Sequence, residues 1–277
     1  MRYLMFAALA ALFALPSSVN AGVINSLVQN EVVILEDTDF ETAFDGGDGS
    51  LDVGDNLLAV VQFDRHRLFS DPTPNFIASP DSEAITAISL VTVESVDVLG
   101  NNATFSLTGA SNADWLAQTG LNIADGTAFV AYLDPVVATP GDDHIVNDTI
   151  ADGITSATEG DILFEFGVDN FFTATTTSLF GSPTNITQIS DFTTRGDFEL
   201  LVNHTGLALL EHDALNLGLG GSQLQLDGGL DALGGSPGGF DIVTDTNVAL
   251  FAVPEPTSAL AFVGLFGLVQ MRRRRRG

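Results

Sequence analysis

The chain has 277 residues, 45% of them hydrophobic, with no cysteine and a formal net charge of −27 at pH 7. Lacking cysteine, it has no disulfides, no thiol nucleophile and no cysteine-ligated metal. Positions 22–252 hold only Arg65, Arg67 and Arg195 against 35 of the 36 acidic residues, a formal balance of −32. A surface of that sign excludes nucleic-acid binding through phosphates, which requires cationic side chains.

Met1 and Arg2 form a short positive region, Tyr3 to Leu15 an apolar one, Pro16 a break, and Val19-Asn20-Ala21 a run of small cleavage-site residues. That order is expected of a secretory signal peptide, residues 1–21, cut after Ala21. The body that follows, 22–252, reads as mainly β. Short strands are expected at Glu31 to Glu36, Asn56 to Phe63, Ile85 to Leu99, Thr104 to Leu107, Thr127 to Leu133 and Asp161 to Val168. Others are expected at Phe171 to Thr177, Phe198 to Val202, Leu207 to Leu210 and Val248 to Val253. The pattern at Asp161 to Val168 sets Ile162, Phe164, Phe166 and Val168 on one face, the alternation of a half-buried strand. One short helix is expected at Asn112 to Gln118, around Trp115. The glycine-dense segment from Gly218 to Gly239 reads as a loose hairpin. Short strands separated by turn clusters imply a single β-sandwich or jelly-roll-like domain, and the 20 phenylalanines suit its core.

Few residues point to chemistry. Asp45, Asp48, Asp52 and Asp55 lie in a glycine-rich stretch, and calcium takes six to eight oxygens from loops that glycine lets fold around it. The first ligand positions of an EF-hand would fall on Phe44 and Gly46, so the stretch is either an acidic turn before the Asn56 strand or a calcium loop of another kind. Asp142, Asp143, His144 and Asp148 allow the same two readings. His204 and His212 are eight residues apart but separated by the Thr205-Gly206 turn, which argues against a metal pair. Arg65-His66-Arg67 is the one basic cluster of the body and is expected to offset Asp64 and Asp71. No His-Glu-x-x-His zinc pattern occurs, and no catalytic residue is assigned. In the body the large polar aromatics are Trp115 and Tyr132 alone, too few for a sugar-binding platform.

The tail, 253–277, carries the most specific signal. Val253-Pro254-Glu255-Pro256 precedes an uncharged run from Ser258 to Met271, and Arg272, Arg273, Arg274, Arg275 and Arg276 close it. As a helix that run would cover roughly 20 Å, short of a hydrocarbon core of about 30 Å. The arginines bear on that shortfall: basic residues stay on the cytoplasmic side, and their long side chains can snorkel to the phosphate zone. A C-terminal membrane helix starting near Thr257 is therefore expected. These three parts, in this order, resemble the PEP-CTERM sorting signal of Gram-negative bacteria. The resemblance covers about the last 25 residues. It implies passage through the inner membrane, processing near Pro-Glu-Pro by an exosortase, a membrane protease, and association with extracellular polysaccharide. The expected protein is non-enzymatic, exported and held at the surface or in the matrix, with no cofactor unless the acidic loops take calcium. The alternative is a calcium- or carbohydrate-binding module.

Overall fold

Apolar residues that recur every second position can bury one face of a strand, and here they build almost the whole body. The computed structural model describes residues 32–70, 77–78, 84–134, 149–217, 221–233 and 240–254. The signal-peptide positions 1–21 lie outside the described residues, as do Asp142, Asp143, His144, Asp148 and the tail from Glu255 through Pro256 to Arg272–Arg276. In chain order the elements are β1 (Val32–Phe44), β2 (Asn56–Leu68), β3 (Ile77–Ala78), β4 (Ala84–Leu99), β5 (Asn102–Gly109), α1 (Asn112–Thr119) and β6 (Thr127–Asp134). They continue as α2 (Ile150–Ala157), β7 (Asp161–Ser178), β8 (Ile189–Asn203), β9 (Leu207–Leu209), β10 (Leu224–Leu233) and β11 (Ile242–Pro254).

The protein is mainly β, as expected, but the strands form one antiparallel sheet rather than two facing ones. Its path runs β2, β1, β11, β10, β8, β7, β5, β4, and β4 then pairs back onto β2, with Asn56 opposite Thr92 and Phe63 opposite Ile85. The sheet is thus closed on itself. β5 and β6 share one position in the ring: β6 pairs with the first half of β4 and β5 with the second, and both pair with β7. Closure satisfies backbone groups that an open sheet would expose at its edges. For a chain without disulfides this is a source of cooperativity that cross-links would otherwise supply.

Side chains from alternate positions fill the ring. Phe63, Phe129, Phe164 and Phe166 form a chain of tilted ring contacts with centroids 5.8 to 6.4 Å apart, and Phe172 meets Phe198 edge-on at 5.1 Å. A second cluster lies outside the ring, where α1 and α2 cover β2, β4 and β6. It joins Leu58, Val60, Ile88, Leu90, Val130 and Tyr132 to Trp115, Ile154 and Phe240. These strands are buried on both faces, which is why β6 is apolar almost without interruption.

The expected helix is present as α1. Ser111 caps its N-terminus by accepting from Asp114 N (3.2 Å), Gly120 ends it in the left-handed conformation, and the buried Trp115 Nε1 donates to Thr127 O (2.9 Å). Several expectations need correction. β1 runs on to Phe44, β8 begins at Ile189, and the two strands expected at 161–177 are one, β7, with an irregularity between Val168 and Phe172. The expected loose hairpin holds a ten-residue strand, β10, seated between β8 and β11 with one register shift between Leu230 and Ala232. Gly228 is required there, since a Cβ would lie 2.7 Å from both Thr194 Oγ1 and Thr246 Oγ1. α2 was not expected, because a Thr- and Gly-bearing segment has low helix propensity; its Thr149 cap and the burial of Ile154 and Ala157 hold it. Among the described residues no helix is long and apolar enough to cross a membrane; the expected membrane helix lies outside them.

The closed sheet has two distinct ends. Phe44, Asn56, Leu99 and Ile242 mark the loop end. Val32, Leu68 and Pro254 mark the tail end, where β1 starts and β11 finishes side by side, with Val32 opposite Phe251.

Candidate functional site

Four polar or functional features can be built up from these elements. The first is the acidic loop at the loop end. Asp45 accepts from Gly47 N (2.9 Å) through Oδ1 and from Gly49 N (2.7 Å) through Oδ2. Asp48 accepts from Ser50 N (2.9 Å), and Asp55 from Asp52 N (2.6 Å). Gly46, Gly47, Gly49 and Gly54 all have positive φ, a conformation that side chains with a Cβ rarely adopt. Leu51, fully buried in the core, plugs the ring, and Leu51 N donates to Thr184 O (2.9 Å). The structure therefore brings Asp45, Asp48, Asp52 and Asp55 into one loop, where three of the four hold the backbone turns. Among the described residues no group of three or more histidine or acidic side chains is arranged to hold a metal ion.

The second feature was not visible in the sequence. Asp197, fully buried on β8, accepts from Ser222 Oγ (3.3 Å) and Gln225 Nε2 (3.1 Å), and Gln225 also reaches Asp213 Oδ1 (3.1 Å). His212 is the main-chain bridge partner of Ser222. Ser222, His212 and Asp197 are the residue types of a nucleophilic triad, but the imidazole faces elsewhere. Its Nε2 meets Ala249 O (3.1 Å) and its Nδ1 accepts from Ala214 N (3.3 Å). Both contacts are satisfied by one neutral tautomer, and burial lowers the imidazole pKa in the same direction. Burial also raises the Asp197 carboxyl, with the Gln225 and Ser222 hydrogen bonds acting against it. The group pins the 210–217 loop to the outside of the sheet. His204 has a separate partner, Glu165 Oε1 at 3.0 Å. Arg65 lies 3.7 Å from Glu36, its cross-strand neighbour, on a half-exposed surface.

The third feature is a cavity of about 40 Å³ inside the ring, lined by apolar side chains, Ser89, Thr194, Thr246 and two acids, Asp39 and Glu41. That is space for about three waters, at 10–15 Å³ each. Thr244 Oγ1 lies 3.4 Å from Asp39 Oδ2 and 3.3 Å from Glu41 Oε1, and Glu41 Oε2 is buried without a partner. Burial, then the neighbouring Asp39, pushes the Glu41 carboxyl up to about 8, and the Thr244 bond only partly opposes this. That shift favours the protonated carboxyl of Glu41 at neutral pH.

The fourth feature is the start of the tail. Val253 and Pro254, the first two residues of the tail motif, are the last two of β11, and Ala252 before them is fully buried. The structure leaves no spacer between the closed sheet and that motif. Glu255, Pro256 and the arginines lie outside the described residues. No family model, curated protein or solved structure matches the chain.

Proposed function

We propose that this chain is an exported structural protein of the cell surface or extracellular matrix. Its tail acts as a PEP-CTERM-type sorting signal that holds it in the inner membrane until an exosortase-type protease processes it. The observation that carries this reading is the junction: the motif Val253-Pro254-Glu255-Pro256 begins where β11 ends. β1 starts beside it, so the preceding and following segments both leave from the tail end. That arrangement suits a domain delivered and tethered from one side. The ring offers a rigid acidic body, and the polar groups of its best-placed Ser, His and Asp are committed to structural bonds, which supports a non-enzymatic role. Extracellular polysaccharide is the partner implied by the tail resemblance.

Replacing Pro254-Glu255-Pro256 with three alanines should leave the full-length chain in the inner-membrane fraction, as read by fractionation and immunoblotting. Processing unchanged from wild type would remove the sorting reading. The alternative role, calcium binding, rests on the four aspartates of the acidic loop, three of which accept from backbone N–H groups in this structure. If it binds calcium, the melting temperature should rise more with calcium than with sodium chloride of equal ionic strength, and an Asp45→Asn variant should lose that excess. Equal shifts would count against it.

A further inference from the structure

Most of β11 is paired on both sides, by β1 up to Phe251 and by β10 up to Leu250. Beyond Leu250 the chain β11 would otherwise lose its second neighbour, and there the three residues of β9 take over. Leu209 pairs with Ala252, Ala208 with Val253 and Leu207 with Pro254. β9 therefore lies directly along the first two residues of the tail motif.

A small side-chain network holds β9 in this place. Asn203 Oδ1 accepts from Thr205 N and Thr205 Oγ1, both at 2.9 Å, while Asn203 Nδ2 donates to Leu207 O (2.6 Å). Thr205 Oγ1 accepts from Leu207 N (3.0 Å), and Leu210 N donates to Phe251 O (2.8 Å). Leu209 is buried in the core, whereas Leu207 and Ala208 are only half-buried. A three-residue strand at the end of a closed sheet has few ladder bonds to lose. It belongs to the part of a fold that opens locally without global unfolding.

Recognition of an extended segment by main-chain hydrogen bonds needs free N–H and C=O groups along that segment. Strand groups alternate in direction, so the Phe251 C=O that accepts from Leu210 N puts the Val253 N–H and C=O on the β9 side, while Pro254 has no N–H to offer. Resting on the reading of the tail as a processed sorting signal, we propose that β9 is a clip over the start of that signal. Release of Leu207–Leu209 from Ala252–Pro254 must precede engagement by the processing protease. The clip couples processing to the folded state: a completed barrel presents its motif slowly, and one whose β9 is unseated presents it at once.

The test uses the full chain in cells that process it, followed by pulse-chase. Asn203→Ala removes both sides of the turn that seats β9 and should speed processing about fivefold, the effect of roughly one net hydrogen bond. The second arm locks the clip. Ala208 and Val253 are directly opposite, and cross-strand neighbours of this kind are within reach of a disulfide. In the Ala208→Cys/Val253→Cys variant, which has no other cysteine, the oxidised form should be processed at least tenfold more slowly than the same variant after reduction. Equal rates in the two redox states, while wild type is processed, would overturn the clip and leave the sorting reading intact. A wild-type chain that is never processed would overturn the sorting reading and the clip with it.

Discussion

In its tail-end half the ring is filled by Phe63, Phe164 and Phe166 with Leu35, Leu224 and Leu250, around a gap of only about 10 Å³. The loop-end half, across Phe129, holds the larger cavity, three threonines and the carboxyls of Asp39 and Glu41. Same sheet, same alternation, opposite energetics: one half gains from dispersion and apolar burial, while the other carries groups that water would have solvated better. The dry half should therefore carry the stability and the polar half its dependence on pH.

Breaking the dry half should have the largest effect. Phe166→Ala, which removes a fully buried ring touching Phe129 and Phe164, should cost about 3–5 kcal/mol in urea unfolding. A loss under about 1 kcal/mol would mean that the aromatic half is not the main anchor.

The polar half should show itself through pH. The folded state holds the Glu41 proton up to about 8, whereas glutamate ordinarily releases it at 4.5. This contribution to stability is full below the ordinary value, falls as pH rises, and is gone above the folded value. Between pH 6 and 8 wild type should lose about 2 kcal/mol, read as a melting temperature lower by about 4–8 °C. Glu41→Gln, neutral at every pH, should flatten that slope. A Glu41→Gln profile as steep as wild type would assign the dependence to other groups.

The smallest effect is expected at the boundary of that half. Gly228→Ala should destabilise by about 1–3 kcal/mol through overpacking. The cost should shrink in a Thr194→Ala/Thr246→Ala background, because the two hydroxyls that a Cβ would meet are gone. An undiminished cost would point to the backbone instead.

The same contrast explains what could be read in advance. Apolar-rich strands such as Ile85 to Leu99 and Asp161 to Val168 were legible because most of their buried positions are Phe, Ile, Leu and Val, although Ile162 packs outside the ring while Leu163, Phe164 and Phe166 pack inside it. The second half of β1 was not, since its inward positions include Asp39 and Glu41, which read as solvent-facing. The start of β8 was hidden in the same way by Thr194 and Gly196. A glycine in a strand reads as a break until the crowding above it is known, which is why β10 read only as part of a loose hairpin. Of the candidate residues, the four loop aspartates share one loop through their closeness in sequence alone. The Asp197, Ser222 and Gln225 group was not, because its members come from separate segments that only the sheet brings together.

Composition and order along the chain were enough to establish the acidity, the absence of thiol chemistry, the β class and the helix around Trp115, since these depend on residue type and local period alone. Closure of the sheet, the division of its interior and the seating of β9 against Val253 and Pro254 depend on which distant strands become neighbours. That choice is made by packing and register across the whole ring, to which a local stretch contributes only one edge.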